Sequence, residues 1–206
     1  TEVVLLSYVE WGTACLERLA GIFAFAVWND DKQKLFIARD RLGVKPLFYT
    51  QGQGRFIFGS ELKALLAHPD LSAEVNAEGL AEIFTISPAR TPGHGIYKNV
   101  YELKPGCYAE CDQNGFRERI YWQLQSHPHS DDLNTTIQCV HDLLKEITES
   151  QLVSDVPICM LLSGGLDSSA LTALANNKYK AQGKTKMQTF SVDYAGNDKH
   201  FTANSF

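Results

Sequence analysis

Three hydroxyls and one carboxylate surround two glycines in Ser163-Gly-Gly-Leu-Asp-Ser-Ser169. Residues of these types at this spacing bind anions. Hydroxyls donate hydrogen bonds to oxyanions, and glycine, lacking a Cβ, lets backbone N–H groups come close to a phosphate. The Asp167 carboxylate is costly among phosphates unless it caps the following helix or meets a metal ion; a contact to Mg²⁺ or its water is the expectation. Two familiar phosphate loops are excluded. No Gly-x-x-x-x-Gly-Lys-Ser/Thr provides a lysine for terminal phosphates, and no Gly-x-Gly-x-x-Gly marks a dinucleotide fold.

The elements on either side must position this loop. The apolar run Val156–Leu162 reads as a short, fully buried strand, and Ser168–Lys178 reads as a helix. A strand turning through glycines into a helix N-terminus gathers unpaired N–H groups at the positive end of the helix dipole. Met187–Val192 is a second apolar-rich strand, so the pattern is a parallel βαβ unit. Before it, Asn134 is the expected cap of a helix with an apolar stripe of Ile137, Val140, Leu144 and Ile147. The polar stretch Gln125–Asp132 reads as a linker.

Upstream, short strands alternate with turn residues. Glu2–Val9 reads as a helix too apolar to lie on a surface, ended by Gly12. Ile22–Trp28 reads as a central strand covered on both faces, returning through Asn29–Lys32 into Lys34–Arg39. Pro46–Thr50 and Arg55–Phe58 form a hairpin, and a helix follows over Glu61–Ala67. Asn76 caps a helix to Phe84, and a loop rich in proline and glycine spans Ser87–Gly95. A last hairpin, Cys107–Cys111 with Phe116–Trp122, carries the strong turn signal Asn114-Gly115. Trp11, Trp28 and Trp122 are expected in the core.

The chain has 206 residues, 44% of them hydrophobic and 21% charged, which is ordinary globular composition. A net charge of −5 without basic runs argues against nucleic acid as a partner, and no apolar stretch is long enough to span a membrane. Five scattered cysteines without a Cys-x-x-Cys suit a reduced cytoplasmic protein; Cys107 and Cys111 share a strand face but lack partners for zinc. The histidines at 127, 129, 141 and 200 form neither triad nor metal set, and His94 reads as a loop histidine. Arg39-Asp40-Arg41 reads as a structural ion pair at a domain edge.

Ser-Gly-Gly-x-Asp-Ser after a buried strand resembles the PP-loop of the ATP pyrophosphatases. Other stretches extend the likeness in order: Leu19–Val27, Ala38–Tyr49, Phe58–Leu65, Tyr101–Gly106 and Ser154–Pro157. Together with the loop they resemble glutamine-hydrolysing asparagine synthetase of the bacterial type, across almost the whole chain. The resemblance implies α+β followed by α/β: a partial Ntn-type αββα antiparallel sandwich at 1–124, a linker at 125–133, and at 134–206 the opening βαβ of a PP-loop, adenine nucleotide α-hydrolase-like, parallel-sheet domain. The chain is read as an internal piece of a longer, cytoplasmic protein, by family habit a homodimer, with the closing residues Thr202–Phe206 falling within its second domain.

By the same resemblance the substrates are aspartate, ATP with Mg²⁺, and glutamine or ammonia. Leu162, Ser163, Gly164, Gly165, Leu166, Asp167, Ser168 and Val192 would bind ATP, with Ser163 and Ser168 on the β- and γ-phosphates and Val192 beside adenine. Asp167 would also face Mg²⁺. No catalytic residue is assigned: the family's cysteine nucleophile leads its mature chain, and none of the five cysteines here is terminal. Thr1 heads a helix, which does not suit an Ntn nucleophile. The alternatives are a β-lactam-forming synthetase with the same two folds, and a nucleotide-binding module that turns nothing over. Alone, the chain is expected to be inactive.

Overall fold

The computed structural model describes residues 1–52 and 54–192; His200 and the closing residues Thr202–Phe206 lie outside them. Two compact units follow one another, the first Thr1–Ser126 and the second beginning at His127.

The first unit is built from period-2 alternation in two antiparallel sheets. One sheet holds β1 (Ala24–Asn29), β2 (Lys34–Arg39), β6 (Cys107–Asp112) and β7 (Gly115–Ile120), in that spatial order. The other holds β4 (Arg55–Gly59), β3 (Phe48–Gly52) and β5 (Tyr101–Glu102). Successive side chains of a strand point to opposite faces, and the packing separates them accordingly. Ile37 of β2, Cys107 and Ala109 of β6 and Tyr49 of β3 share one core with Phe56 and Phe116, so this core lies between the sheets. Phe36 and Ala38 point the other way, onto Cys15 and Leu16 of α2 (Cys15–Arg18) and Tyr8 of α1 (Glu2–Trp11). Phe48 points away from the inter-sheet core onto Leu65 of α3 (Leu62–Leu66), and α4 (Ala77–Thr85) follows in the chain. Four layers result: helix, sheet, sheet, helix. Each fully buried Phe or Leu in these layers stabilises the fold by about 1.5–3 kcal/mol.

Several expectations need correction. The apolar helix α1 has no buried residue, and Val3 stands 72% exposed; only Tyr8 reaches the core, stacking on Phe36 at 4.8 Å. Among the described residues β1 pairs with β2 alone, so it is an edge strand, not a central one. Its near-continuous apolar run therefore leaves Trp28 53% exposed, and Trp11 is exposed too. The last hairpin, by contrast, turns through Asp112-Gln-Asn-Gly115, where the sequence places it. Asp112 pairs with Gly115, and the Asp112 carboxylate accepts the Asn114 N–H at 2.7 Å.

In the second unit, α5 (Leu133–Gln151) is capped by Asp132, whose carboxylate accepts the Thr135 N–H at 2.7 Å. The expected cap, Asn134, lies within the first turn. The stripe Ile137, Val140, Leu144, Ile147 is present but exposed. β8 (Cys159–Leu161) is shorter than its apolar run and is not buried, with Leu161 77% exposed. Its only sheet neighbour among the described residues is β9 (Gln188–Phe190), which runs parallel to it. Between them lies α6 (Leu166–Ala181), tied to α5 by Lys178–Glu149 at 2.6 Å.

Candidate functional site

The hydroxyl loop lies where β8 ends. Parallel pairing of Met160 with Thr189 and Leu161 with Phe190 carries the backbone to Leu162, whose N–H still donates to the Phe190 carbonyl at 2.9 Å. The chain then leaves the sheet. Gly164 takes φ 78°, a left-handed conformation in which a side chain would be strained. Gly165, back in an extended conformation, is the N-cap of α6 and offers no side chain to its N–H groups. A Cβ at Gly165 would meet only Ser163 Oγ, at 3.5 Å, so packing does not demand glycine there. Its absence leaves the first-turn N–H groups open to an incoming anion.

Ser163 and Ser168 meet across this turn. Their hydroxyl oxygens are 3.1 Å apart, and Ser168 Oγ also accepts the Ser163 N–H at 3.3 Å. Ser168 and Ser169 both donate to the Gly165 carbonyl, at 3.2 and 2.8 Å. The loop's hydroxyls are thus paired with one another and with backbone, within reach of a ligand that would replace those partners. Leu166, Asp167 and Val192 are exposed, and Leu162 and Val192 follow the carboxyl ends of the two parallel strands. Asp167 stands in the first turn of α6, where the helix dipole favours a carboxylate. Among the described residues no group of three or more His, Cys, Asp or Glu could hold a metal. A single exposed carboxylate suits Mg²⁺, which takes most of its ligands from water and phosphate.

The first unit shows what its charged motif does. Arg39 is 5% exposed and donates to the carbonyls of Lys45, Leu103 and Gly43 at 2.6–2.7 Å. Its carboxylate partner is Glu102 at 3.1 Å, not Asp40; Glu102 is 6% exposed and has Arg90 as a second, looser neighbour at 3.5 Å. Asp40, 1% exposed, accepts the N–H groups of Leu42, Val44 and Lys45. Arg41 reaches the carbonyls of Leu16, Glu17 and Leu19. The tripeptide is therefore structural, as its sequence suggested, but buried and tied mostly to backbone. Sequence reasoning missed Glu102, whose only signal was a lone acid flanked by Tyr101 and Leu103 in a strand.

Other candidates are quieter. Burial pushes the Cys107 thiol up to about 11, and it raises Cys111 and Cys15 as well, so none of the three is an activated nucleophile. His94 is half-buried, bridges to Tyr101 and lines a cavity of about 280 Å³ with Asn76, Gly79 and Tyr97. Thr1 stands at the N-cap of α1, not at the head of a strand.

The chain thus holds a four-layer sandwich and, in a second unit, a hydroxyl loop on a parallel strand pair, and comparison gives the family of the first. Residues 1–122 match the family model of the glutamine amidotransferase domain, and the chain belongs to that family. Residues 139–204 match a second model, asparagine synthase. Over its whole length the chain is 50% identical to asparagine synthetase [glutamine-hydrolyzing] 3 of Bacillus subtilis, covering 34% of that protein. A second B. subtilis asparagine synthetase [glutamine-hydrolyzing] is 34% identical over 86% of this chain and 25% of its own length. The amidase chyE of Penicillium rubens is 31% identical over 98% of this chain and 30% of its own. The chain spans about a third or less of these relatives. Among solved structures, glutamine phosphoribosylpyrophosphate amidotransferase from B. subtilis aligns with all of this chain and 42% of its own, at 14% identity and a TM-score of 0.40. Among the described residues no helix is long and apolar enough to cross a membrane.

Proposed function

We propose that this chain is part of an ATP-dependent ligase that makes asparagine from aspartate, with glutamine as the amide donor. The observation that carries the reading is the pairing, in one chain and in this order, of a glutamine amidotransferase match with an asparagine synthase match that contains the Ser163–Ser169 loop. In this reading residues 1–124 belong to an Ntn-type glutaminase, 125–133 to a linker and 134–206 to a PP-loop synthetase domain. By the same resemblance the complete enzyme is a cytoplasmic homodimer.

The loop's part is to hold the nucleotide's leaving group. The Ser163 and Ser168 hydroxyls, now 3.1 Å apart, turn to donate to the β- and γ-phosphates. The N–H groups of Gly164, Gly165, Leu166 and Asp167 line the same nest. Backbone at Leu162 and Val192 receives the adenosine at the strand ends. The aspartate side-chain carboxylate attacks the α-phosphorus and pyrophosphate departs, leaving an acyl adenylate; ammonia attacks its carbonyl carbon and AMP leaves with asparagine formed. Stabilising negative charge on the departing pyrophosphate is the main contribution to rate. Asp167 would hold Mg²⁺ beside those phosphates, and the metal would add to that stabilisation.

The test is the full-length protein with ATP, Mg²⁺ and aspartate. Asparagine and pyrophosphate should form with either glutamine or ammonia, and no product from aspartate would sink the reading. Ser163→Ala and Asp167→Ala should abolish pyrophosphate release while leaving glutamine hydrolysis largely intact. Equal loss of both activities would overturn this division of roles.

A further inference from the structure

One hydrogen bond at the loop belongs to a residue that the nucleotide reading leaves without a part. Ser191, just past β9, donates its hydroxyl to the Leu162 carbonyl at 2.7 Å. That carbonyl and the Ser163 N–H are the two ends of one peptide plane. The N–H end is held by Ser168 Oγ at 3.3 Å. The plane that opens the phosphate loop is therefore pinned from both sides, by the start of α6 and by the end of β9.

The two pins are unequal in what a ligand does to them. Ser168 is among the groups that turn toward phosphate, so its hold on the Ser163 N–H is given up when nucleotide arrives. Ser191 holds the opposite end and need not move. This plane turns about the bonds at the Leu162 and Ser163 Cα atoms, where the chain leaves the sheet, and once Ser168 lets go, the Ser191 hydroxyl is the hydrogen bond that still holds it. A rotated plane would carry the Leu162 carbonyl and the Ser163 N–H with it and shift the start of the phosphate loop.

We propose that Ser191 is a positioning residue for nucleotide binding: through the Leu162 carbonyl it fixes the peptide plane from which the phosphate loop starts. This rests on the reading of the loop as a nucleotide site. A group pre-aimed before the ligand arrives spares the ordering cost that binding otherwise bears.

The experiment compares full-length wild type with Ser191→Ala, Ser191→Thr and Ser191→Val, measuring ATP binding and the separate KM values for ATP and aspartate. Loss of one such hydrogen bond should weaken ATP binding and raise the ATP KM by about three- to tenfold. The aspartate KM and glutamine hydrolysis should hold. Thr, which keeps the hydroxyl, should restore ATP affinity, and Val, which keeps only the shape, should not. Equal behaviour of Thr and Val, or a change shared by both substrates, would show a merely structural role and overturn the proposal. Unchanged ATP affinity in all three variants would do the same while leaving the nucleotide reading intact. A wild-type protein that binds no ATP would remove that reading and this inference with it.

Discussion

Replacing Glu102 tests whether the buried charge cluster holds the two sheets together. In Glu102→Ala, Arg39 and Arg90 lose their shared carboxylate, while the Arg39 guanidinium stays almost wholly buried. Breaking a buried pair from one side costs about 3–5 kcal/mol, because the remaining charge lacks compensation. Arg39 keeps three carbonyl acceptors at 2.6–2.7 Å, which offset part of that loss. The lower end, about 3 kcal/mol, is therefore expected. With a urea slope of about 2 kcal/mol/M, the unfolding midpoint of the first unit falls by about 1.5 M. Glu102→Gln should cost less, since its amide oxygen can still accept from Arg39 although its NH₂ group cannot. A double-mutant cycle with Arg39→Ala isolates the pair, and a coupling of about 1–3 kcal/mol is expected for groups in direct contact. A Glu102→Ala midpoint within error of wild type, or an additive cycle, would refute the claim that this pair bridges the sheets.

Two further outcomes follow from the first unit. Burial pushes Tyr49 and Tyr121 up to about 12 and Cys107 up to about 11, each above its ordinary value. In the alkaline range the unfolded chain then binds fewer protons than the folded one. Stability is full below the ordinary thiol value near 9 and falls as pH rises through 9 to 12. Urea midpoints measured along this range should decline, less steeply in Tyr49→Phe, and a flat profile would contradict the burial. Gly106 takes φ 65°, and a Cβ there would lie 2.2 Å from the Trp122 carbonyl oxygen, so Gly106→Ala should fail to reach the wild-type soluble yield or lose several degrees of thermal midpoint. Wild-type stability in that variant would show that the β6 entrance can shift to admit a side chain.

Which features were legible in the sequence depends on whether a local pattern or a neighbour decides them. Turn residues make a strand legible where they bracket it: Lys34–Arg39 reads as a strand in the sequence and is one. Asn76 was legible as a cap because its side chain meets Gly79 within a single turn, at 2.9 Å. The position of β1 was not. An apolar run says that a strand can be covered on both faces, but only the strand order, in which β1 has β2 as its one neighbour among the described residues, sets β1 at the edge. The cap of α5 went astray for a subtler reason. Asp132 and Asn134 are both good N-caps, and the choice rests on where the preceding backbone turns extended, which composition does not encode.

The loop shows the same division inside seven residues. Hydroxyls and glycines in a fixed order announce an anion site, because the chemistry is carried by residue type alone. How the site is held ready is carried by residues distant in sequence. Ser191 lies 29 residues from Leu162 and has no motif of its own, yet its hydroxyl holds the carbonyl from which the loop departs. Glu102 is farther still from Arg39 along the chain, joined to it only by the approach of β5 to the end of β2. In both places a motif supplies the conspicuous groups, and a single polar side chain arriving from another strand fixes their geometry. Such partners are visible only when the fold brings them within hydrogen-bond distance, which is why the proposed ligand class rests on the residue types of the loop and the positioning of its site does not.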